Sequence, residues 1–360
     1  MRWFALPVGL VILLFTLLDV FRTLVMPRAA RGRTRLARLL FRPMWRPWRW
    51  VGVRAKTTAG RERILAGAAP FFFFVLLAVW AALAVVGYAL VLWSPAFVHG
   101  IHAIHTGAPV TFGDALYFSG SSLFTLGFSD VVATGWTRAV VVLEAATGLG
   151  LVAVVIGYLP VLYQAFNRRE VGVLLLDARA GSPPSGPELL YRMGSANARS
   201  SLSELFAEWE RWAADVLETH LSYPLLVFFR SPHDNTSWVT ALGSILDAAT
   251  LVITVVGDGD EGREHAKLLL GTGVHAVEDL FYYLDLEERT PVIQREEFDA
   301  VLTDLRGFGV QVVEPDKAYE RFTEKRARYA GRLDALAVLL AAPPAQWIGD
   351  RSFLGARTAH

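Results

Sequence analysis

Three long apolar runs precede a polar second half, and this pattern divides the chain into a membrane region and a soluble region. The first run covers residues 4–25 and is interrupted only by Asp19 and Arg22 near its end. Residues 64–93 form the second run and carry no charge, and residues 137–166 form the third run. Because about 20 apolar residues are enough to cross a bilayer, we predict three transmembrane helices.

The basic residues between the first two runs predict the orientation. Residues 28–63 hold twelve Arg or Lys residues and one acid, Glu62. The positive-inside rule places this linker in the cytoplasm. We therefore expect a multi-pass protein of the cell (inner) membrane, with its N-terminus outside and residues 167–360 in the cytoplasm. A cleaved secretory signal is the alternative for the first run, although its apolar core is long and no small-x-small site follows directly.

Tryptophans and arginines interleave in the middle of this linker. Trp45, Trp48 and Trp50 suit the headgroup zone of a membrane, where the arginines meet anionic headgroups. Pro43 and Pro47 argue against one uninterrupted helix here. A nucleic acid would also attract this charge, but the flanking helices hold the arginines at a membrane surface. We expect membrane lipids as partners and no nucleic acid.

The segment between the second and third runs begins with a helix-start signal. Thr111 is a capping residue, and Asp114 follows three positions later, where a carboxylate stabilises the positive end of a helix. Residues 125–130 cannot continue that helix, because they form a glycine-containing run that ends in a carboxylate. Irregular backbone at membrane depth is tolerated only inside protein or along a water-filled path. We predict a short helix at 111–124 followed by a re-entrant loop.

The segment from Ser122 to Asp130 resembles the filter of tetrameric pore-loop potassium channels. Their signature runs Thr-x-x-Thr-x-Gly-Tyr/Phe-Gly-Asp, and this chain has Ser-Leu-Phe-Thr-Leu-Gly-Phe-Ser-Asp in its place. The resemblance covers about residues 64–166. It implies an outer helix at 64–93, a pore helix before the filter, and an inner, pore-lining helix at 137–166. It also implies a homotetramer, since one chain holds a single loop of this kind.

The resemblance assigns roles to individual residues. It implies that loop carbonyls replace the hydration shell of potassium or another monovalent cation, which is the permeant ion and not a cofactor. The ion-binding positions are Thr125, Leu126, Gly127, Phe128 and Ser129, with potassium at the first four. The expected filter supports are Ser122, Asp130 and Glu144.

Two positions depart from the signature. Ser122 stands where the family has threonine, and Ser129 stands where it has a second glycine. A conformation that glycine adopts freely costs another residue about 1 to 2 kcal/mol. Potassium and sodium therefore both stay open as the selected ion.

Glu144 is the one acid in the body of the third run. An intramembrane acid suggests a function and a partner. The hydroxyls of Ser121, Ser122 and Thr125 are candidate partners behind the filter, and an interfacial pair with Arg138 is the alternative.

The same run contains residues that allow a helix to bend. They fall where inner helices of the resembled family bend to open, and proline removes a helical hydrogen bond. Close packing through small residues is the competing interpretation, and the two are compatible. The predicted gating hinge consists of Gly148, Gly150, Gly157 and Pro160.

Residues 167–360 show helical spacing of apolar residues and predict a helical cytosolic domain, joined by a turn-rich linker at 181–187. Residues 237–256 are long enough to span a bilayer. Asp247 within them and the lack of a return span favour a buried core helix instead. The other predicted helices cover 203–220, 263–284, 295–307 and 317–342.

An acidic turn at 257–262 contains a literal Gly-x-Gly-x-x-Gly, which in a dinucleotide-binding fold follows a strand and opens a helix. Asp258, Asp260 and Glu261 would oppose a pyrophosphate, so a plain turn between helices is favoured. A calcium loop also fits poorly, because Leu269 occupies the position of the last ligand. His102 and His105, before the pore helix, could sense external protons or bind a metal, but no third ligand accompanies them, so a simple exposed loop is favoured.

These observations predict an all-α membrane protein. Its parts are an N-terminal transmembrane helix at 1–27, a basic linker at 28–63, a pore domain at 64–166 and a helical cytosolic domain at 167–360. The predicted function is a homotetrameric cation channel, with potassium as the expected ion and gating at the inner helix coupled to the cytosolic domain. The alternative is an ion-transport subunit or a non-conducting sensor that only binds an ion.

An enzyme is disfavoured on composition and spacing. The chain has no cysteine, which excludes disulfides, thiolate metal sites and thiol catalysis. The histidines of the second half show no spacing that specifies a metal site or a nucleophile with its base.

Overall fold

A computed structural model describes residues 2–26, 36–103, 109–195, 201–232, 235–256, 262–290, 293–307, 312–343, 345 and 347. The start of the basic linker, His105 and residues 257–261 of the acidic turn lie outside the described residues. The chain divides into two compact units. The membrane unit comprises the residues up to Arg46 and Ala69–Tyr163, and the helical unit comprises Pro47–Ala68 and the residues from Gln164 onward.

The described residues are almost entirely helical, which confirms the predicted all-α membrane class. Two short antiparallel strands, β1 (Ile101–Ala103) and β2 (Val131–Ala133), interrupt the helices. The helices are α1 (Ala5–Val20), α2 (Leu36–Val53), α3 (Thr58–Ala66), α4 (Ala68–Trp93), α5 (Phe112–Leu123), α6 (Thr137–Ala180), α7 (Gly186–Ser195), α8 (Leu202–Ser222), α9 (Trp238–Val255), α10 (Arg263–Leu284), α11 (Arg295–Gly307), α12 (Pro315–Ala327) and α13 (Ala330–Leu340).

Four helical stretches among the described residues are long and apolar enough to cross a membrane. Three of them, Arg2–Val25, Ala59–Trp93 and Thr137–Ala180, contain the three predicted runs. The fourth is α9, and every one of its residues is buried within the helical unit. A helix enclosed in this way has no face left for lipid, so α9 is a core helix.

The N-terminal helix α1 packs against α4 within the membrane unit. A Cβ added at Gly9 would lie 2.7 Å from the carbonyl oxygen of Gly87, so glycine allows the two backbones to approach closely. Asp19, near the end of α1, is buried, and its Oδ2 accepts a hydrogen bond of 2.9 Å from Trp80 Nε1. The acid in this run therefore has a partner on the outer helix.

Three local predictions are wrong. Helix α2 runs through Pro43 and Pro47 without interruption, because both prolines lie on an exposed face, where the carbonyls they free stay accessible. The inner helix continues past residue 166 as far as Ala180. The single helix predicted at 317–342 is instead two helices, α12 and α13, separated by a turn at Arg328 and Tyr329.

The core of the helical unit surrounds α9. Asp247, in the middle of that helix, is buried, and its Oδ1 accepts hydrogen bonds from Arg326 Nε at 2.9 Å and Tyr329 Oη at 2.6 Å. Burial and the neighbouring carboxylate raise the pKa of Tyr329 well above its ordinary value, so its phenol remains a donor. The buried acid of α9 is thus paired and hydrogen-bonded.

Candidate functional site: the pore loop

The helix before the loop, α5, begins with the predicted capping box. Thr111 Oγ1 accepts a hydrogen bond from the Asp114 backbone N–H at 3.2 Å, and Asp114 Oδ2 accepts one from the Thr111 N–H at 2.8 Å. Two otherwise unpaired N–H groups are satisfied in this way. The helix ends at Leu123, one residue before the predicted end.

Apolar packing fixes α5 against the outer helix. A buried cluster joins Leu92 of α4, Ala115 and Phe118 of α5, and Ile101 and Val131 of the two strands. Because β1 precedes α5 and β2 follows the loop, their pairing closes the excursion between α4 and α6. The loop therefore begins and ends at fixed points.

The loop itself lies on the surface of its own chain. Residues 124–128 are exposed, including the large side chains of Leu126 and Phe128. Within the described residues, the carbonyls of Thr125, Leu126 and Gly127 accept no hydrogen bond from the protein. Backbone carbonyls that are to be buried need partners. This loop thus presents acceptors that its own chain does not satisfy.

The loop backbone is left-handed at two alternate positions, with φ of 55° at Thr125 and 74° at Gly127. Successive carbonyls of an extended strand point to opposite sides, and a left-handed residue at every second position allows them to share one side. Ser129 does not have a positive φ, so the strain expected at the missing second glycine is absent. Its Oγ instead accepts a hydrogen bond from Val131 N–H at 3.0 Å.

A serine of α5 holds the end of the loop. Ser121 Oγ donates to the carbonyl of Phe128 at 2.6 Å, so this carbonyl, predicted as an ion ligand, is already engaged. Ser122, predicted as a filter support, donates instead to the Phe118 carbonyl of its own helix at 2.8 Å. Asp130 is exposed at the start of β2.

Glu144 lies behind α5 with no exposed surface. Its Oε1 accepts a hydrogen bond from Ser119 Oγ, and that hydroxyl is also 2.9 Å from the Val85 carbonyl of α4. The partner is therefore neither Ser121 nor the alternative, Arg138, whose Nε donates to the Ala133 carbonyl. Glu144 Oε2 has no hydrogen-bond partner within the described residues. This network joins the outer helix, α5 and the inner helix.

Ser119 was missed by sequence reasoning, although a signal existed. It follows Ala115 by four positions and therefore lies on the same buried face of α5. A second contact between the outer and inner helices, the 2.8 Å hydrogen bond between Tyr88 Oη and Thr147 Oγ1, had no comparable signal.

The predicted hinge residues have different surroundings. A Cβ at Gly148 would clash with the carbonyl oxygen of Leu123, so this glycine lets α6 cross the end of α5 closely. Gly150 and Gly157 have no atom of the chain within 4 Å of an added Cβ. Pro160 lies within a helix that continues unbroken through it. The environment of Gly148 fits close packing, and a hinge at these residues stays a prediction.

An apolar cavity of about 510 Å³ lies at the start of the loop. Leu123, Phe124 and Thr125 line it on one side, and Leu149, Val152 and Ile156 of α6 line it on another. The C-terminal end of a helix carries partial negative charge, and α5 ends at this cavity. The arrangement can favour a cation there while leaving the walls apolar.

The region that contains the loop is similar to a known protein family. A family model described as "Ion channel" matches residues 75–164, which include most of α4, all of α5, the loop and the first part of α6. Residues 75–164, named the ion-channel domain after this match, are similar to that family. The resemblance predicted from the filter signature is therefore confirmed over this range.

One curated relative covers more of the chain than the ion-channel domain does. It is the "Uncharacterized membrane protein YdjJ" of Bacillus subtilis (strain 168), 25% identical over 209 residues. The alignment covers 57% of this chain and 58% of the relative, so the chain spans little more than half of that protein's length. No solved structure matches the chain. Together with the membrane-spanning helices, these findings describe a multi-pass membrane protein with an ion-channel domain.

Proposed function

We propose that four copies of this chain form a cation channel in which loop carbonyls of each copy dehydrate the ion, with potassium as the expected ion. The observation that carries the proposal is the exposed loop of the ion-channel domain. Its carbonyls at Thr125, Leu126 and Gly127 accept no hydrogen bond within the described part of the chain. Four such loops around an axis would offer a ring of oxygens at each level of the path.

The surface of the inner helix supports assembly. Val142, Leu143, Leu149, Val152 and Ile156 are exposed in the single chain. In a membrane such a face meets either lipid or another copy, and small residues favour another helix. Gly150 and Gly157 lie exposed on this helix, and a Cβ added at either would meet no other part of the described residues within 4 Å. In the proposed tetramer these residues line the space around the axis and the contacts between copies.

The helical unit supports the predicted orientation. It contains both the end of the basic linker and the residues after the inner helix, and Glu62 pairs with Arg230 at 2.6 Å within it. Two segments that fold together lie on one side of a membrane. We place both in the cytoplasm and the N-terminus outside, on the basic charge of the linker. The linker helix α2, with Trp50 and Arg46 exposed, lies against anionic headgroups of the cell membrane in this account.

In this proposal, bending of the inner helix opens and closes the pore. Helix α6 runs without interruption from the ion-channel domain to Ala180 in the helical unit, so a movement of that unit reaches the pore through one helix. Gly148, Gly150, Gly157 and Pro160 are the positions where the helix would bend.

Planar-bilayer recording of the purified protein under opposed potassium and sodium gradients tests the proposal. The expected result is a cation current whose reversal potential follows the potassium gradient. A reversal potential that reflects both cations equally would support a cation channel that does not select potassium. No cation current across a range of voltage, pH and lipid composition would contradict the proposal.

One observation favours a second function, an ion-binding membrane sensor or transport subunit that does not conduct. Ser121 already engages the Phe128 carbonyl, one of the predicted ion ligands, and Ser129 stands where the signature has its second glycine. In that case potassium would raise the thermal stability of the assembled protein, while vesicles containing it would show no ion flux.

A further inference from the structure

A short segment of the helical unit is held by two arginines, the buried Arg169 and the partly buried Arg230. This bridging segment, residues 223–230, begins with the turn Pro224–Phe228, whose residues Leu225 to Phe228 are buried, and ends at Arg230. One arginine comes from the inner helix and the other from the segment itself. Each joins it to a different helix of the chain.

Arg169 fastens the bridging segment to the inner helix. Its side chain is fully buried, and it donates to the carbonyls of Leu226 at 3.0 Å and Phe229 at 2.8 Å. Glu170 lies 2.7 Å from the guanidinium and neutralises it. The backbone carbonyl of Arg169 in turn accepts from Trp212 Nε1 at 3.0 Å. The part of α6 beyond residue 166 is thereby locked to α8 and to the bridging segment.

Arg230, the last residue of the bridging segment, fastens it to α3. Its Nε donates to Glu62 Oε2 at 2.6 Å, and its Nη1 donates to the carbonyl of Leu340 at 2.6 Å. Arg61, beside Glu62, donates to the carbonyl of Ala341 at 2.8 Å, which Arg230 Nη2 also reaches at 3.2 Å. Helix α3 continues into the outer helix α4 after Gly67 alone.

We propose that the bridging segment couples the start of the outer helix to the continuation of the inner helix, so that neither moves without the other. The physical reason is that the buried Arg169 and the partly buried Arg230 both donate to several acceptors of the chain. Displacing α3 or α6 alone would separate a guanidinium from several of these acceptors. Its consequence for current, control of the open fraction by the helical unit, rests on the proposed channel function.

Hydrogen exchange of the full-length protein in lipid nanodiscs tests the coupling without relying on current. Glu62→Ala removes one contact of Arg230 and leaves the inner helix untouched. Faster exchange is expected in residues 58–66 and also in residues 223–229 and 164–175. Exchange that rises only in residues 58–66 would overturn the proposal. Glu62→Gln, which keeps a carbonyl acceptor, should show a smaller effect with the same distribution and covers the case in which the alanine variant does not fold.

The matched control is Asp215→Ala. It removes the partner of Arg168, the residue of α6 next to Arg169, with which Asp215 of α8 forms an exposed pair at 3.2 Å. Exposed pairs contribute little, so exchange in residues 223–229 should stay at the wild-type rate. An equal rise in this variant would show that the bridging segment responds to any change nearby and would overturn the proposal.

Bilayer recording provides the functional readout. Glu62→Ala should change the open fraction by about tenfold, a usual size for coupling between sites, at unchanged unitary conductance because the pore loop is intact. A conducting variant with the wild-type open fraction would overturn the role in gating. If the wild type carries no current, the proposed function fails, and the hydrogen-exchange pattern alone decides whether the two helices are coupled.

Discussion

The pore loop and the core of the helical unit differ in whether their polar groups are hydrogen-bonded within the chain. In the helical unit the buried charges Arg169 and Asp247 are hydrogen-bonded and ion-paired by the same chain. In the loop the carbonyls of residues 125–127 are exposed and accept nothing within the described residues. Buried polar groups in native proteins are almost always satisfied. These two buried charges are therefore satisfied within one chain, whereas the loop carbonyls are left open to solvent, to an ion or to another copy.

Left-handed backbone at non-glycine residues occurs in both regions, at Thr125 in the loop and at residues such as Asp285 and Ala341 in the helical unit. Thr125 adopts a φ of 55°, which an L-residue with a branched side chain rarely does. Such strain persists where surrounding contacts hold it and where function uses it. The first three predictions address the pore loop and its support, and the last addresses the helical unit.

The largest expected effect is loss of current in Gly127→Ala. Nothing lies within 4 Å of an added Cβ, so the change acts only through the left-handed φ of 74°. An alanine there costs about 1 to 2 kcal/mol in each copy, which favours a collapsed loop. Bilayer recording should show no cation current, while size-exclusion chromatography shows the wild-type assembly. Gly120→Ala, in the adjacent helix with equally open space, should conduct; a conducting Gly127→Ala would remove the filter assignment.

Gly148→Ala should destabilise the ion-channel domain by about 2 to 3 kcal/mol, because overpacking against rigid backbone displaces helices. The added Cβ would meet the carbonyl of Leu123. Gly120→Ala, in α5 with no described atom within 4 Å of an added Cβ, is the control and should not lower the thermal midpoint. Equal behaviour of the two variants would contradict the close crossing of α5 and α6.

Glu144→Ala should cost about 1 to 2 kcal/mol through loss of the hydrogen bond to Ser119. Glu144→Gln keeps an oxygen acceptor for the same hydroxyl and should stay near the wild-type stability. Thermal unfolding of both variants in detergent gives the comparison. A glutamine variant as unstable as the alanine variant would show that the carboxylate charge, and not the hydrogen bond, supports α5.

The smallest expected effect is the pH dependence of the stability of the helical unit. Burial and the nearby Arg169 charge lower the pKa of His220 well below its ordinary value. Arginine can only donate, so His220 Nε2 accepts from Arg169 at 3.1 Å while Nδ1–H donates to the Val216 carbonyl at 2.7 Å. The folded protein thus holds the neutral ring.

The sign of the pH effect follows from this depressed pKa. The stabilisation is complete above the unfolded-state pKa of about 6.5 and is lost as pH falls toward the folded-state pKa, at about 1.4 kcal/mol per pH unit. Denaturant unfolding should show this slope between about pH 6.5 and 5.5 for the wild type and for His275→Gln, an exposed control. His220→Gln should be less stable at neutral pH and lack the slope; an unchanged slope would contradict the buried neutral histidine.

Local signals predicted much of the pore region because they lie close together in the sequence. The apolar runs gave the spanning helices, and Thr111 with Asp114 predicted the start of α5, since a capping box is complete within three residues. Contacts between residues that are far apart in the sequence could not be predicted from local signals. The partner of Glu144 depends on how α6 crosses α5, and the pairing of Glu62 with Arg230 joins residues 168 positions apart.

The errors have physical causes of the same kind. The extension of α6 beyond residue 166 is stabilised by tertiary contacts such as that of Trp212 with Arg169, which periodicity does not reveal. Helix α2 tolerates Pro43 and Pro47 because both lie on one exposed face. The strain expected at Ser129 is relieved because Ser121 turns the preceding carbonyl toward α5 and the left-handed positions are Thr125 and Gly127.

The central claim is that the loop carbonyls of several copies surround a dehydrated cation. A cryo-microscopy map of the full-length protein in potassium-containing nanodiscs tests it most directly. The account predicts fourfold symmetry, with ion density on the axis level with the carbonyls of Thr125, Leu126 and Gly127. A monomer, or an assembly whose loops face away from any shared axis, would contradict it.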